Sequence, residues 1–248
     1  MNSRQNHHAV TRSFAILISG LPLLLAVMAS SCTVQEEITV KSDFSGTAAG
    51  SVVLDPLFVE YLSSFMEIAG EGSEFSFDVD AIKRDLEKDG GTAVTSILSP
   101  DPEHLSLNIS FRNIADIIAK DPSVSQAGLV TVSDRNGVKR ISIHLDRDNY
   151  QQLEALIPVL SNPLFSALGP RENEGTTEAE YLEMMEYALG EGGPELVKRS
   201  AITARIRIKG TLVSQKGGKP IPGGVEFTIP LIRLLLLAEP IDYFVEFK

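Results

Sequence analysis

Period-two alternation of apolar and polar residues recurs along this chain and constrains its fold more than any other feature. Leu105, Leu107, Ile109 and Phe111 alternate without a break against Ser106, Asn108 and Ser110. Val34, Ile38 and Val40 share a face with Glu36, while Gln35, Glu37, Thr39 and Lys41 take the other. From Ile202 to Leu212 the pattern predicts one long strand with Ile202, Ala204, Ile206 and Ile208 inside. Ile241, Tyr243, Val245 and Phe247 predict a last strand. Successive strand side chains point to opposite faces, so these segments are half-buried strands. Turn signals separate neighbours: Ser42 to Gly46 after the first strand, and Asn136-Gly137, a strong hairpin dipeptide. Strands joined by such tight turns pair antiparallel.

Helical spacing falls between the strand pairs. Asp55-Pro56 opens a helix carrying Phe58, Tyr61, Leu62, Phe65 and Ile68. A second starts at about Asp78 with Val79, Ile82 and Leu86, and Ile114, Ile117 and Ile118 mark a short third. Asp148 is the expected cap of a helix whose apolar face is Tyr150, Leu153, Leu156, Ile157 and Leu160. Thr177-Glu178-Ala179-Glu180 is a capping box that starts an acidic helix. The expected class is α+β, a mostly antiparallel, curled or partly barrel-like sheet with packed helices. Residues 32–248 are expected to form one domain, with an internal hinge in the polar loop at 169–176.

Ahead of the domain stands a leader. Arg4 and Arg12 precede an apolar run from Ser13 to Val27, and Ala29-Ser30-Ser31 leads into Cys32, the chain's one cysteine. This is the grammar of an N-terminal secretory signal peptide, residues 1–31. A cysteine at the cut resembles the lipobox of bacterial lipoproteins, where it is diacylated and becomes the first mature residue. Small residues fit the two positions before Cys32, whereas Leu is usual at the third and this chain has Ala29. The same residues also fit an ordinary signal peptide with an incidental cysteine. Lipid attachment at Cys32 would tether the domain to a bacterial membrane, on the periplasmic or surface face of the cell envelope. With one cysteine there is no disulfide, so stability must come from burial.

The leader holds two of the 22 basic residues and none of the 33 acidic ones, which leaves the rest at −13. That charge excludes a nucleic-acid binder, which needs a net basic surface. Leu231 to Ala238 (LIRLLLLA) is the most apolar later stretch, but it has eight residues and includes Arg233. A bilayer crossing takes about 20 apolar residues. The stretch therefore predicts a buried strand or short helix.

Catalytic signatures are scarce. After the leader only His104 and His144 remain, and no spacing singles out carboxylates to join them at a metal. No nucleophile elbow, Walker loop or dinucleotide fingerprint occurs. No catalytic residue, metal or cofactor is expected. Glu178, Glu180, Glu183 and Glu186 read as a solvated helix face. One charge feature is less bland: Lys198 to Lys219 carries seven cations and no acidic residue. Arg205, Arg207 and Lys209 share one strand face at about 6.6 Å spacing, so an anionic neighbour is expected. Two readings stay open, pairing with the protein's own carboxylates, or contact with lipid phosphates or an acidic partner.

Motifs at both ends carry a family resemblance. After the cysteine, Ile38-Thr39-Val40-Lys41-Ser42-Asp43-Phe44-Ser45-Gly46-Thr47 is a strand, a small-residue turn and a second strand. Near the C-terminus come Ile206-Arg207-Ile208-Lys209-Gly210, Phe227-Thr228-Ile229-Pro230-Leu231 and Glu239-Pro240-Ile241. In these the chain resembles the LppM-like family of bacterial lipoproteins. The resemblance implies a partly closed α+β domain with an apolar interior and no catalytic residue. The family's mycobacterial member is associated with phosphatidylinositol mannosides and carries a C-terminal membrane helix that has no counterpart in this sequence. The leading expectation is a membrane-tethered, non-enzymatic domain that binds a lipid or lipoglycan. The alternative is an interaction module, an accessory subunit docking on an envelope protein partner.

Overall fold

The computed structural model describes residues 33–69, 74–88, 90–120, 125–126, 128–156 and 167–248. The leader, Cys32, Ile157 and Leu160 lie outside the described residues. The strands are β1 (Thr33–Lys41), β2 (Gly46–Val53), β3 (Thr92–Asp101), β4 (His104–Phe111), β5 (Val130–Arg135), β6 (Val138–Leu145), β7 (Ala201–Lys209), β8 (Leu212–Lys216), β9 (Lys219–Ile221), β10 (Gly224–Pro230) and β11 (Ile241–Phe247). The described helices are α1 (Pro56–Ala69), α2 (Val79–Glu87), α3 (Ile114–Lys120), α4 (Arg147–Leu156), α5 (Glu178–Leu189), α6 (Gly193–Arg199) and α7 (Leu231–Leu236).

Seven strands form one sheet in the order β3-β4-β2-β1-β7-β10-β9, and four form another, β5-β6-β11-β8. The class is α+β, as the alternating strand pairs and helices predicted. Both sheets are open and neither closes into a barrel. Pairing among the described strands is antiparallel except between β1 and β7, which run parallel in register from Thr33↔Ala201 to Lys41↔Lys209. Parallel neighbours need a crossover, and here it spans everything from β2 to α6.

Local chemistry sets the tight turns. Between β1 and β2, Asp43 Oδ1 accepts from Ser45 N at 2.9 Å while Phe44 takes a positive φ of 62°. Asn136 (φ 55°) and Gly137 (φ 78°) join β5 to β6, the left-handed pair that a two-residue hairpin requires.

Two expectations need correction. The long strand from Ile202 to Leu212 is two strands in different sheets, broken at Gly210-Thr211. Thr211 exchanges both backbone hydrogen bonds with Lys248, N–H to O at 2.9 Å and O to N–H at 3.0 Å. A Cβ on Gly210 would stand 2.1 Å from the Lys248 carbonyl oxygen. The fourth helix starts at Arg147, so Asp146 rather than Asp148 caps it. Asp146 Oδ1 accepts from Asn149 N and Asn149 Oδ1 accepts from Asp146 N, each at 2.9 Å. The expected capping box on α5 is present, with Thr177 and Glu180 bonded reciprocally.

The inward rows of the two sheets meet in one core. Val225, Phe227 and Ile229 from β10 and Ile241, Tyr243 and Val245 from β11 are all buried, and Phe227 stacks on Tyr243 with ring centroids 5.3 Å apart. The apolar run after β10 is the short helix α7, and its Leu231, Leu234, Leu235 and Leu236 are buried.

Candidate functional site

Among the described residues two polar side chains are buried on the inward face of the larger sheet, Thr92 on the edge strand β3 and Glu36 on the central strand β1, and of these only Glu36 can carry a charge. On β1 the buried residues are Val34, Glu36, Ile38 and Val40, and Glu36 is only 3% exposed. Its neighbour on β2 is Gly50 and its neighbour on β7 is Ala204. One strand further out stand Leu107 on β4 and Phe227 on β10. The row therefore runs Leu107, Gly50, Glu36, Ala204, Phe227. At about 4.8 Å per strand, the two large side chains stand about 10 Å to either side of the acid.

Glu36 Oε1 is buried with no hydrogen-bond partner among the described residues. Arg147 Nε is also buried and unpartnered, but its guanidinium is otherwise held by Glu174 at 3.0 Å and the Leu236 carbonyl at 3.2 Å. Glu36 has no such compensation. Burial alone pushes its carboxyl up from 4.5 to about 8, so it is largely protonated at neutral pH. Sequence reasoning placed Glu36 on the apolar face of β1 without treating it as functional. An acid at an inward position of a central strand was the available signal.

Arg205, Arg207 and Lys209 lie on the opposite, outward face of this sheet. Arg205 Nε meets Glu226 Oε2 at 2.7 Å, and Arg207 Nη2 reaches Glu37 Oε2 at 3.5 Å. Arg207 Nη1 also donates to the Pro222 carbonyl. Lys209 is exposed beside Lys41 in the parallel register, with no ion pair among the described residues. Because β7 starts level with Thr33, Lys209 lies about 26 Å along the strand from that end.

Both histidines among the described residues, His104 and His144, are exposed. His144 Nε2 bonds Asp146 Oδ2 at 3.0 Å, and His104 Nδ1 bonds Asp101 Oδ1 at 2.7 Å. The hydrogen bond from His104 holds the Asp101 carboxyl below the usual range. Ligand atoms of Asp101, Glu103 and His104 all lie within 4.8 Å of one another, a convergence that linear spacing did not reveal. Asp101 Oδ1 also accepts from Glu103 N at 3.0 Å, so the group already works as a hydrogen-bonded turn.

A surface cleft of about 220 Å³ between α2 and α3 is lined by Asp85, Thr92, Arg112, Asn113, Asp116 and Lys120 among others. It is smaller than the roughly 300–1,000 Å³ typical of small-molecule sites, and its charged walls suit no acyl chain. The glutamates of α5 are exposed, as a solvated face requires. No described helix is long and apolar enough to cross a membrane.

No protein-family model matches the chain, and no curated protein matches it. Among solved structures, the chain is similar to the folded domain of LppM from Mycobacterium tuberculosis, determined by NMR. The two share 12% identity at a TM-score of 0.42, over 90% of this chain and 93% of that one.

Proposed function

We propose that this chain is a lipid-anchored protein of the bacterial cell envelope whose domain binds an amphiphile and catalyses no reaction. The anchor is Cys32, one residue before the central strand of the larger sheet. The family reading rests on the motifs around Ser42–Gly46 and Phe227–Leu231. One observation carries the ligand reading: on the inner face of the larger sheet a single carboxyl, Glu36, is buried with no hydrogen-bond partner for Oε1 among the described residues. A core built only for stability has no use for such an acid, since burying an unpaired polar group costs about 1–3 kcal/mol. An amphiphile offers what that face lacks, an apolar body with one polar end. Native mass spectrometry of the protein purified from its own host tests this. A co-purifying lipid or lipoglycan is expected, and a ligand-free protein after gentle extraction would overturn it.

A second reading, a docking module for an envelope protein, is favoured by Tyr187. This ring is 96% exposed on the acidic helix α5, beside Glu183 and Glu186. Exposed tyrosines are common anchors of protein interfaces. Tyr187→Ala would then abolish co-purification of a protein while leaving lipid binding intact.

A further inference from the structure

We infer that Glu36 is the head-group contact of an interior site for an amine-bearing amphiphile, an inference that rests on the amphiphile reading above. The acid stands on the central strand of the larger sheet, and both cross-strand neighbours, Gly50 and Ala204, are the smallest available. Along its own strand the inward neighbours are Val34 and Ile38, on β2 they are Ala48 and Val52, and on β7 Ile202 and Ile206. None of these carries a charge or a hydrogen-bond donor. The inner face around Glu36 thus presents one carboxyl, its Oε1 without a hydrogen-bond partner among the described residues, between hydrocarbon side chains and with no cation beside it.

An amine supplies both a donor and the opposite charge. Bringing an alkylammonium to Glu36 transfers no atoms beyond one proton. The acid releases its proton to solvent and becomes the carboxylate of an ion pair, which low surrounding polarity strengthens. An alcohol would add a hydrogen bond only. A fatty acid would bring a second carboxyl to the first, and the pair would then bury one negative charge with no cation to balance it. The net charge of −13 outside the leader favours the approach of a cation in the same sense.

The test uses the full lipid-anchored protein in phosphatidylcholine nanodiscs, with empty nanodiscs as the background, and three probes: octylamine, octanol and octanoate. Octylamine should bind at pH 7 at least tenfold more tightly than octanoate. Glu36→Gln should weaken octylamine at least tenfold and leave octanol unchanged. A second measurement needs no variant: the carboxyl carbon of 13C-labelled Glu36 should move to its carboxylate position when octylamine is added at pH 7. Unchanged octylamine affinity in Glu36→Gln, or a carboxyl signal that stays put while octylamine binds, would overturn the role of Glu36 and leave amphiphile binding standing. If none of the three probes binds above empty nanodiscs, the interior site and the amphiphile reading fall together.

Discussion

Glu36 is held at 3% exposure with no hydrogen-bond partner for Oε1 among the described residues, and the cost of that placement sets how stability should respond to pH. Its carboxyl titrates near 8 in the folded chain and near 4.5 when exposed. Between those values the folded form keeps a proton that the unfolded chain has released, so stability falls as pH rises through the window and levels off above about 8. No charged side chain occupies the inward positions beside it on β2 or β7, so the drop belongs to this residue. Its size is on the order of a few kcal/mol. Urea denaturation from pH 5 to pH 9 should show the decline, and Glu36→Gln should flatten it. An equal slope in both proteins would mean that the acid is hydrated or paired in solution. A different residue-scale effect holds at Gly210, whose missing Cβ lets Lys248 bond Thr211 at the end of the β8–β11 pairing. Gly210→Ala should cost more than about 1 kcal/mol, because the obstructing atom is a backbone oxygen with little room to move. A melting temperature unchanged from the parent would show that this pairing is looser than described.

Elements were legible in the sequence where their own residues decide them. Leu105 to Phe111 and Ile241 to Phe247 alternate because each has one wet face, and both are strands. The split of β7 from β8 was not legible, since Ile208, Gly210 and Leu212 continue the alternation while the break depends on Lys248, far along the chain. The parallel pairing of β1 with β7 was equally hidden: period two fixes which face is buried, not which strand lies alongside. For the same reason Glu36 could be placed on the inner face, while its Gly50 and Ala204 neighbours could not. The basic strand was legible as an unbalanced charge needing anions, and the fold supplies Glu226 and Glu37. Replacing Arg205, Arg207 and Lys209 together by Gln should lower stability by up to about 1 kcal/mol for each of the two exposed pairs. Flotation with anionic vesicles should be unchanged, and a salt-sensitive loss of flotation would instead assign these cations to lipid phosphates.

At the scale of the whole molecule, the proposed anchor and the sheet register together fix an orientation. Cys32 would join the lipid directly to Thr33, and Thr33 stands level with Val53 on β2 and Ala201 on β7. Pro230 on β10 is level with Ala201. This end of the larger sheet should lie against the bilayer, with β1 and β7 running away from it. Lys41 and Lys209 then stand about 26 Å further out, beyond the roughly 8 Å screening length at physiological ionic strength. A single added cysteine at position 228 or at position 209, labelled with a fluorophore in the lipidated protein, reads this distance directly. Quenchers placed in the lipid head groups should dim the label at Thr228→Cys strongly and the label at Lys209→Cys little. Cys32→Ala should abolish both this difference and incorporation of a fatty-acid analogue. Incorporation that persists in the variant would remove the anchor from Cys32. Equal quenching at both positions in the lipidated protein would mean that the sheet lies flat on the membrane. Its outward face, with Arg205, Arg207 and Lys209, would then meet the phosphates, and the ion pairs to Glu226 and Glu37 would have to compete with them.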